Sequence, residues 1–351
     1  MMLKAAWAPY TLHFRETAVT SRARMHTKDT YIIKVWDSAD SGCVGWGECA
    51  LFRGLSAEDT PHYESVLTEV CRNIGYYVEN GFPEISSLRF GFEMALADLK
   101  NGGKQLFFAT PWAYSKRSIT INGLIWMGDK HRMAMRIREK LDAGFRCVKL
   151  KIGGIDFNDE VDLLRHIRSI YSPSEIELRL DANGAFPPDK ALNYLETLSR
   201  FGIHSIEQPI KAGQPEEMAT ITRESPIPIA LDEELIGVTS SADKARLLSS
   251  VKPQYIILKP SLCGGFAEAD EWIAAAQRLH IGWWATSALE SDLGLAAIGQ
   301  WVDKYEPTLP QGLGTGRLYT NNILSPLHLD GEQLGYDSAR KFVLPELKWQ
   351  D

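Results

Sequence analysis

From about residue 118 onward, short apolar runs alternate with amphipathic segments, and the alternation returns every 25 to 30 residues or so, the signature of repeated strand–helix units. Strands are predicted at 118–126, 147–153, 175–183, 204–209, 228–234, 255–262 and 282–290, and helices at 130–143, 158–170, 190–201, 216–223, 242–249, 268–279 and 293–305. No GxGxxG turn follows any of these strands, so seven consecutive units predict a TIM-like parallel barrel, closed or nearly so, and not an open dinucleotide-binding sheet. Residues 1 to about 115 differ. Antiparallel strand candidates (3–14, 30–36, 44–49) precede helical stretches at 63–72 and 92–100, an α+β pattern. The expected division is 1–115, then a barrel over 116–308, then a segment over 309–351 that returns to pack on the first unit.

Composition narrows the class. The 351 residues are 44% hydrophobic and 24% charged, enough apolar material for a large packed core. A net charge of -7 gives no basic field for a phosphate backbone, so nucleic acid is not an expected partner. The five cysteines form no CxxC pair, which argues against a disulfide framework or a cysteine zinc site and for a reducing compartment. Lys4, Pro9 and His13 interrupt the N-terminal apolar run and no segment is long enough to span a bilayer, so a cytoplasmic protein without membrane contact is expected.

The strand ends carry the chemistry. In a parallel barrel catalytic groups come from the C-terminal ends of several strands. Read in order, those ends give Lys149 and Lys151, then Asp181 and Asn183, then Glu207, Asp232 and Lys259. Residues two apart share a strand face, so Lys149 points with Lys151, and Arg179 with Asp181 and Asn183, while Val148, Leu150, Leu180 and Ala182 face the helices. Three carboxylates at one barrel mouth repel unless a hard cation with oxygen ligands bridges them, which predicts one divalent ion, Mg2+, at Asp181, Glu207 and Asp232. The lysines precede and follow these strands, so they fall on opposite sides of a bound ligand. A lysine among other cations gives up its proton more readily, which suits a general base.

The segments VKLKIG (148–153), LRLDANGAF (178–186), IEQP (206–209), ALDEE (230–234) and ILKPSLCGG (257–265) resemble the muconate-lactonizing subgroup of the enolase superfamily. The resemblance extends to GWGECA (45–50), which matches a loop that closes on the substrate, and to 15–27, where a mobile lid would lie. It implies a (β/α)7β barrel under an α+β capping domain built from the N-terminus and the C-terminal segment. Pairing a lysine base with Mg2+ to stabilise an enediolate is established chemistry of that superfamily. Spacing alone does not choose among Asp232, Glu233 and Glu234 as the third ligand; the resemblance selects Asp232.

Within the subgroup, TSALES (286–291) and GLGTGRLYTNN (312–322) most resemble members that eliminate water from a cyclohexadiene carboxylate to give an aromatic product. The implied roles are Lys151 as the base, Lys259 as the opposing cation and Lys149 as its neighbour, with Arg179, Asn183, Ser287 and Thr315 contacting a small carboxylate substrate. Dipeptide epimerases of the subgroup typically carry Asp-x-Asp where this chain has Gly-Leu-Gly-Thr-Gly, which leaves an ammonium-bearing substrate without a partner.

The alternatives are a racemase or epimerase of N-acylated amino acids or dipeptides using both lysines, a Schiff-base aldolase, and a scaffold that has lost its chemistry. The last would show a missing ligand or lysine, and none is missing. A Lys-x-Lys alone reads as a solvated edge and Asp-Ala-Asn-Gly alone as a turn; it is their ordered recurrence at one barrel face that points to catalysis. His204 and His280 fall at strand starts and read as structural. Gly264–Gly265 is too short a signal for phosphate.

Overall fold

The alternating pattern near the N-terminus forms one antiparallel sheet, order β1-β2-β3, from β1 (Leu3–Val19), β2 (Arg24–Asp37) and β3 (Asp40–Cys49). The structure, a computed structural model, describes residues 2–19, 24–126 and 130–350; residues 20–23 of the expected lid lie outside them. Tyr31, Ile33 and Val35 turn to one face of the sheet and bury against α1 (Tyr63–Arg72), α2 (Ile74–Asn80) and α3 (Ser86–Lys100). Gly45 and Gly47 permit that packing. A Cβ on either would meet the carbonyl oxygen of Ala95 at 1.9 Å or of Gly91 at 2.0 Å, so α3 rests directly on strand backbone. The GWGECA segment is therefore strand almost throughout, which corrects its reading as a closing loop. The loop after it, through Phe52 and Leu55, lines a cavity over the barrel mouth.

The barrel strands run β5 (Gly123–Ile125), β6 (Cys147–Lys151), β7 (Glu177–Asp181), β8 (Ile203–Glu207), β9 (Ile229–Leu231), β10 (Tyr255–Leu258) and β11 (Gly282–Ala285), each parallel to the next in that order. They alternate with α4 (Lys130–Asp142), α5 (Phe157–Ile170), α6 (Pro188–Ser199), α7 (Pro215–Glu224), α8 (Ser241–Val251), α9 (Gly265–Arg278) and α10 (Asp292–Asp303). Parallel bridges Thr286↔Gly312 and Ile121↔Gln311 set residues 311–312 between β11 and the approach to β5, as an eighth stave that closes the ring. Val148, Leu150, Leu180 and Ala182 pack in the core shared with the helices, as the alternation requires.

The first predicted barrel strand divides. Ile119–Thr120 is a separate β4 that pairs antiparallel with β13 (Gln333–Tyr336), itself paired with β12 (Leu327–Asp330); 123–125 pairs with β6 in the barrel, and Ile121 bridges the eighth stave. The C-terminal segment thus first completes the barrel and then extends β4. It reaches the first sheet twice, where Tyr319 bridges Phe14 of β1 and at its end, where Gln350 bridges Trp7 and Trp349 lies 5.8 Å from Trp46.

Two carboxylates, one fully buried and one half-buried, join the antiparallel unit to the barrel. Glu48 of β3 accepts hydrogen bonds from Thr30 Oγ1 (2.8 Å), Ser291 N (2.9 Å), Ser291 Oγ (2.6 Å) and Gly294 N (2.9 Å), the last three at the N-terminus of α10. Glu93 of α3 accepts from Phe266 N (2.5 Å) in the first turn of α9. Each supplies the acceptor that an opening helix turn lacks.

Candidate active site

The ends of β6 to β10 bring together the residues expected there. Lys151 Nζ lies 2.9 Å from Asp181 Oδ2 and 2.7 Å from Asn183 Oδ1. Lys149 Nζ joins two carboxylates, at 3.1 Å from Asp181 Oδ2 and 2.9 Å from Glu207 Oε2, and Lys259 pairs with Asp232. Parallel register explains the assembly: Lys151 aligns with Asp181, and Asp181 with Glu207. Strand β9 stops at Leu231 because Asp232 leaves the extended region and Glu233–Leu235 turns as a short 3-10 helix.

Electrostatics here follow from burial set against pairing. Burial opposes the charge on Lys149, but Asp181, Glu207 and Asp232 outweigh it and hold the ammonium protonated well above its ordinary range. Burial also works against Lys259, and Asp232, Glu207 and Glu233 raise it. The Asp181 carboxyl, though buried, is pulled down by Lys149, Lys151 and Lys259. Glu207 goes the other way, pushed up to about 8 by burial and by the Asp181 carboxylate. Burial raises Asp232 as well. The expected base does not sit among cations alone, since Asp181 and Asn183 both accept from Lys151.

Among the described residues no three His, Cys, Asp or Glu side chains already surround one point. The expected ligands are instead paired with lysines, Lys149 bridging Asp181 and Glu207 and Lys259 meeting Asp232. Two observations bear on whether a cation fits. Asp181, Glu207 and Asp232 offer only oxygen donors from adjacent strands, and Glu207 Oε1 is buried with no hydrogen-bond partner in the protein. That is the donor set of a hard divalent ion, and an acceptor of the kind such an ion satisfies.

A cavity of about 250 Å3 lies over these groups. Lys149, Lys151, Lys259 and Asn183 line its charged side; Met25, Phe52 and Leu55 of the antiparallel unit, with Trp126, add apolar wall. The Trp126 ring is 5.9 Å from Lys151 Nζ. Ser287 and Thr315 also line it, but the Ser287 hydroxyl donates to Glu290 (2.5 Å) and accepts from Leu289 N (3.0 Å), so its proton is not free for a ligand.

Arg179 is not part of the cavity wall, which corrects its reading as a substrate contact. It is 1% exposed inside the barrel, with Nε 2.7 Å from Glu177, Nη1 2.8 Å from the Pro310 carbonyl and its guanidinium 4.2 Å from the Trp284 ring. The same side of β7 carries both Arg179 and Asp181, but Arg179 is two residues deeper. His204 packs below against Tyr255 and Trp284, as its strand-start position predicts.

Sequence reasoning missed Asn122, Trp126 and Thr286 as cavity residues. Asn122 and Trp126 flank β5 inside a stretch that reads as one uninterrupted strand. Thr286 could have been found as the first residue past β11, the position that yields Lys259 on β10.

Comparison with known proteins places this geometry. Residues 132–310 match the model of the enolase C-terminal domain-like family. The o-succinylbenzoate synthase of Desulfotalea psychrophila is 44% identical over 358 residues, covering 92% of this chain and 96% of that protein. The crystal structure of MenC from the same organism superposes with a TM-score of 0.85 at 40% identity, over 95% of this chain and 100% of the other. The L-Ala-D/L-Glu epimerase of Francisella tularensis subsp. novicida is 24% identical, covering 82% of this chain and 83% of that protein. A dipeptide epimerase structure from Enterococcus faecalis, complexed with Mg and a dipeptide, shares the fold at a TM-score of 0.82 and 19% identity, over 96% of this chain and 97% of the other.

Proposed function

The chain belongs to the enolase C-terminal domain-like family, and from that premise we propose that it is a lyase that eliminates water from 2-succinyl-6-hydroxy-2,4-cyclohexadiene-1-carboxylate to give o-succinylbenzoate, a step of menaquinone biosynthesis. The observation that carries this reading is a cavity lined by all three expected lysines in a chain 44% identical to a protein of that activity. Five free cysteines suit a reducing cytoplasm.

Lys151 Nζ, in its neutral form, removes the proton from the ring carbon that bears the carboxylate. The electron pair left behind becomes the new ring double bond as the C–O bond to the departing hydroxyl breaks, and the Lys151 ammonium returns its proton to that hydroxyl as water on the same face. Asp181 and Asn183 hold Lys151 by its Nζ. Lys259, on the sixth strand of the ring, faces the substrate from the other side and stabilises the negative charge that gathers on its carboxylate. Lys149 keeps its proton throughout and contributes fixed positive charge. A divalent cation held by Asp181, Glu207 and Asp232, which we assign as Mg2+, supplies positive charge at the substrate carboxylate when bound.

Turnover of the cyclohexadiene carboxylate with and without Mg2+, in wild type and Lys151→Ala, tests this. Wild type with Mg2+ should convert it, chelation should abolish conversion, and Lys151→Ala should lose about 10²- to 10⁴-fold in kcat while remaining folded. Conversion by chelated enzyme, or by Lys151→Ala at the wild-type rate, would overturn the assignment. Because Lys151 and Lys259 both line the cavity, racemisation of N-acylated amino acids is a second reading. Exchange of solvent deuterium into such a compound as fast as dehydration would favour it.

A further inference from the structure

Three acids in succession, Asp232, Glu233 and Glu234, follow β9, and spacing does not choose which of them meets a cation. In the fold each takes a different partner. Glu234 Oε1 accepts from Gly213 N (2.9 Å) and Oε2 from Gln208 Nε2 (3.0 Å). Glu233 Oε1 accepts from Asn183 Nδ2 (3.0 Å), and Asp232 turns to Lys259 at the barrel mouth. The residue that organises this turn is Gln208, one position past Glu207 and without a part in the chemistry proposed above. It is 0% exposed, and its amide is used on every side. Oε1 accepts from Asp232 N (3.2 Å) and Glu234 N (3.3 Å), while Nε2 donates to Glu234 Oε2 and to Ile210 O (3.0 Å). Only one orientation of the amide serves these bonds, since turning it over would set its NH2 against two N–H groups and its oxygen against a carboxylate. The backbone of Gln208 is fixed as well, with N donating to Ala230 O (2.9 Å), O accepting from Gly184 N (2.7 Å) and φ at 42°; a non-glycine residue holds that conformation only where its surroundings impose it.

Were β9 to run on past Leu231, its alternation would put Asp232 and Glu234 on one face, two carboxylates side by side toward the barrel axis. The Gln208 amide prevents this. By taking the backbone N–H groups of Asp232 and Glu234 it bends the chain into the 3-10 turn of Glu233–Leu235, and by donating to Glu234 it holds that carboxylate away from the mouth. We propose that Gln208 is a positioning residue for the metal site, one that selects Asp232 from the three acids as the third ligand and fixes where it stands. The inference rests on the divalent-cation reading above and adds to it what chooses the ligand. Groups that orient a ligand without touching the metal govern affinity nearly as strongly as the ligands do.

The test is binding of Mn2+, whose free ion gives an electron paramagnetic resonance signal that is lost on binding, titrated into wild type, Gln208→Met, Gln208→Glu and the exchanged pair Gln208→Glu with Glu234→Gln. Methionine keeps the length and removes the amide. Glutamate keeps the acceptor for the two N–H groups but sets a carboxylate against Glu234, and the exchange restores a donor between the two side chains. Each single variant should bind Mn2+ about tenfold more weakly than wild type, and the exchanged pair should return to within about threefold of it. The Mg2+ concentration that gives half-maximal dehydration should rise in the single variants by more than kcat at saturating Mg2+ falls. Thermal unfolding without metal exposes a merely structural role: single variants that melt lower yet bind Mn2+ as wild type does would overturn the proposal, and so would an exchanged pair that binds no better than Gln208→Glu. If Gln208→Met does not fold, Gln208→Glu against the exchanged pair decides. These failures leave the dehydration reading intact, whereas a wild type that takes up no Mn2+ overturns the metal reading and the proposal together.

Discussion

Replacing Glu48 with glutamine should loosen the seam between the antiparallel unit and the barrel by about 2 to 4 kcal/mol. The wild-type carboxylate is fully buried and accepts four hydrogen bonds, from Thr30 Oγ1 and Ser291 N on one oxygen and from Ser291 Oγ and Gly294 N on the other. An amide keeps one acceptor oxygen, which can serve the first pair. The Ser291 hydroxyl can rotate to accept from the new NH2 group. Gly294 N cannot, and stands donor against donor in a place closed to water. One stranded buried N–H costs about 1 to 3 kcal/mol, and loss of a negative charge at the N-terminus of α10 removes about 1 more. Urea unfolding followed by circular dichroism should show a lower midpoint at unchanged slope, and the melting temperature should fall by several degrees. The cavity roof contributed by Phe52 and Leu55 depends on the same seam, so kcat/KM should fall too. A stability within about 0.5 kcal/mol of wild type would refute the reasoning, because it would mean that these four bonds hold nothing that water does not replace.

Gly47→Ala places a Cβ 2.0 Å from the Gly91 carbonyl oxygen, a backbone atom that cannot swing away, so it should cost more than about 3 kcal/mol or abolish soluble expression; wild-type stability would show that α3 shifts freely on β3. Glu93→Gln should flatten a pH dependence. Burial pushes the Glu93 carboxyl from 4.5 up to about 7, so between those values the native state holds a proton that the unfolded chain releases. The stability from this group is full below about pH 4.5 and lost as pH rises through 7, on the order of 3 kcal/mol in all. Urea-derived stabilities at about pH 5 and about pH 8 should differ less in the variant than in wild type, and an equal difference would sink the attribution.

The barrel was legible because its strands show two faces in alternation and the second to sixth end in charged residues that a packed interior does not tolerate without function. Lys149, Asp181, Glu207 and Lys259 could be placed on one face from the chain alone. Where a strand or helix ends was less legible, because the stops are tertiary. The fifth strand is predicted through 234, yet Gln208 takes the backbone amides of Asp232 and Glu234 and turns the chain away after Leu231. Helix α9 begins at Gly265, earlier than its amphipathic pattern, with Gly264 and Gly265 at φ 102° and 89° and the opening turn received by Glu93 from another part of the molecule. Arg179 was misplaced for a related reason. Periodicity gives the direction of a side chain but not its depth, and depth separates a residue in the cavity from one stacked on Trp284.

Trp7 and Gln350 exchange both backbone hydrogen bonds, at 2.9 and 2.8 Å, and everything that makes the barrel lies between them in sequence. A ribosome therefore releases β1 long before it delivers that strand's last neighbour. During synthesis the outer side of β1 near Trp7 stays open as an edge, and this pairing, among the most distant in the chain, can be made only after the barrel segments have emerged.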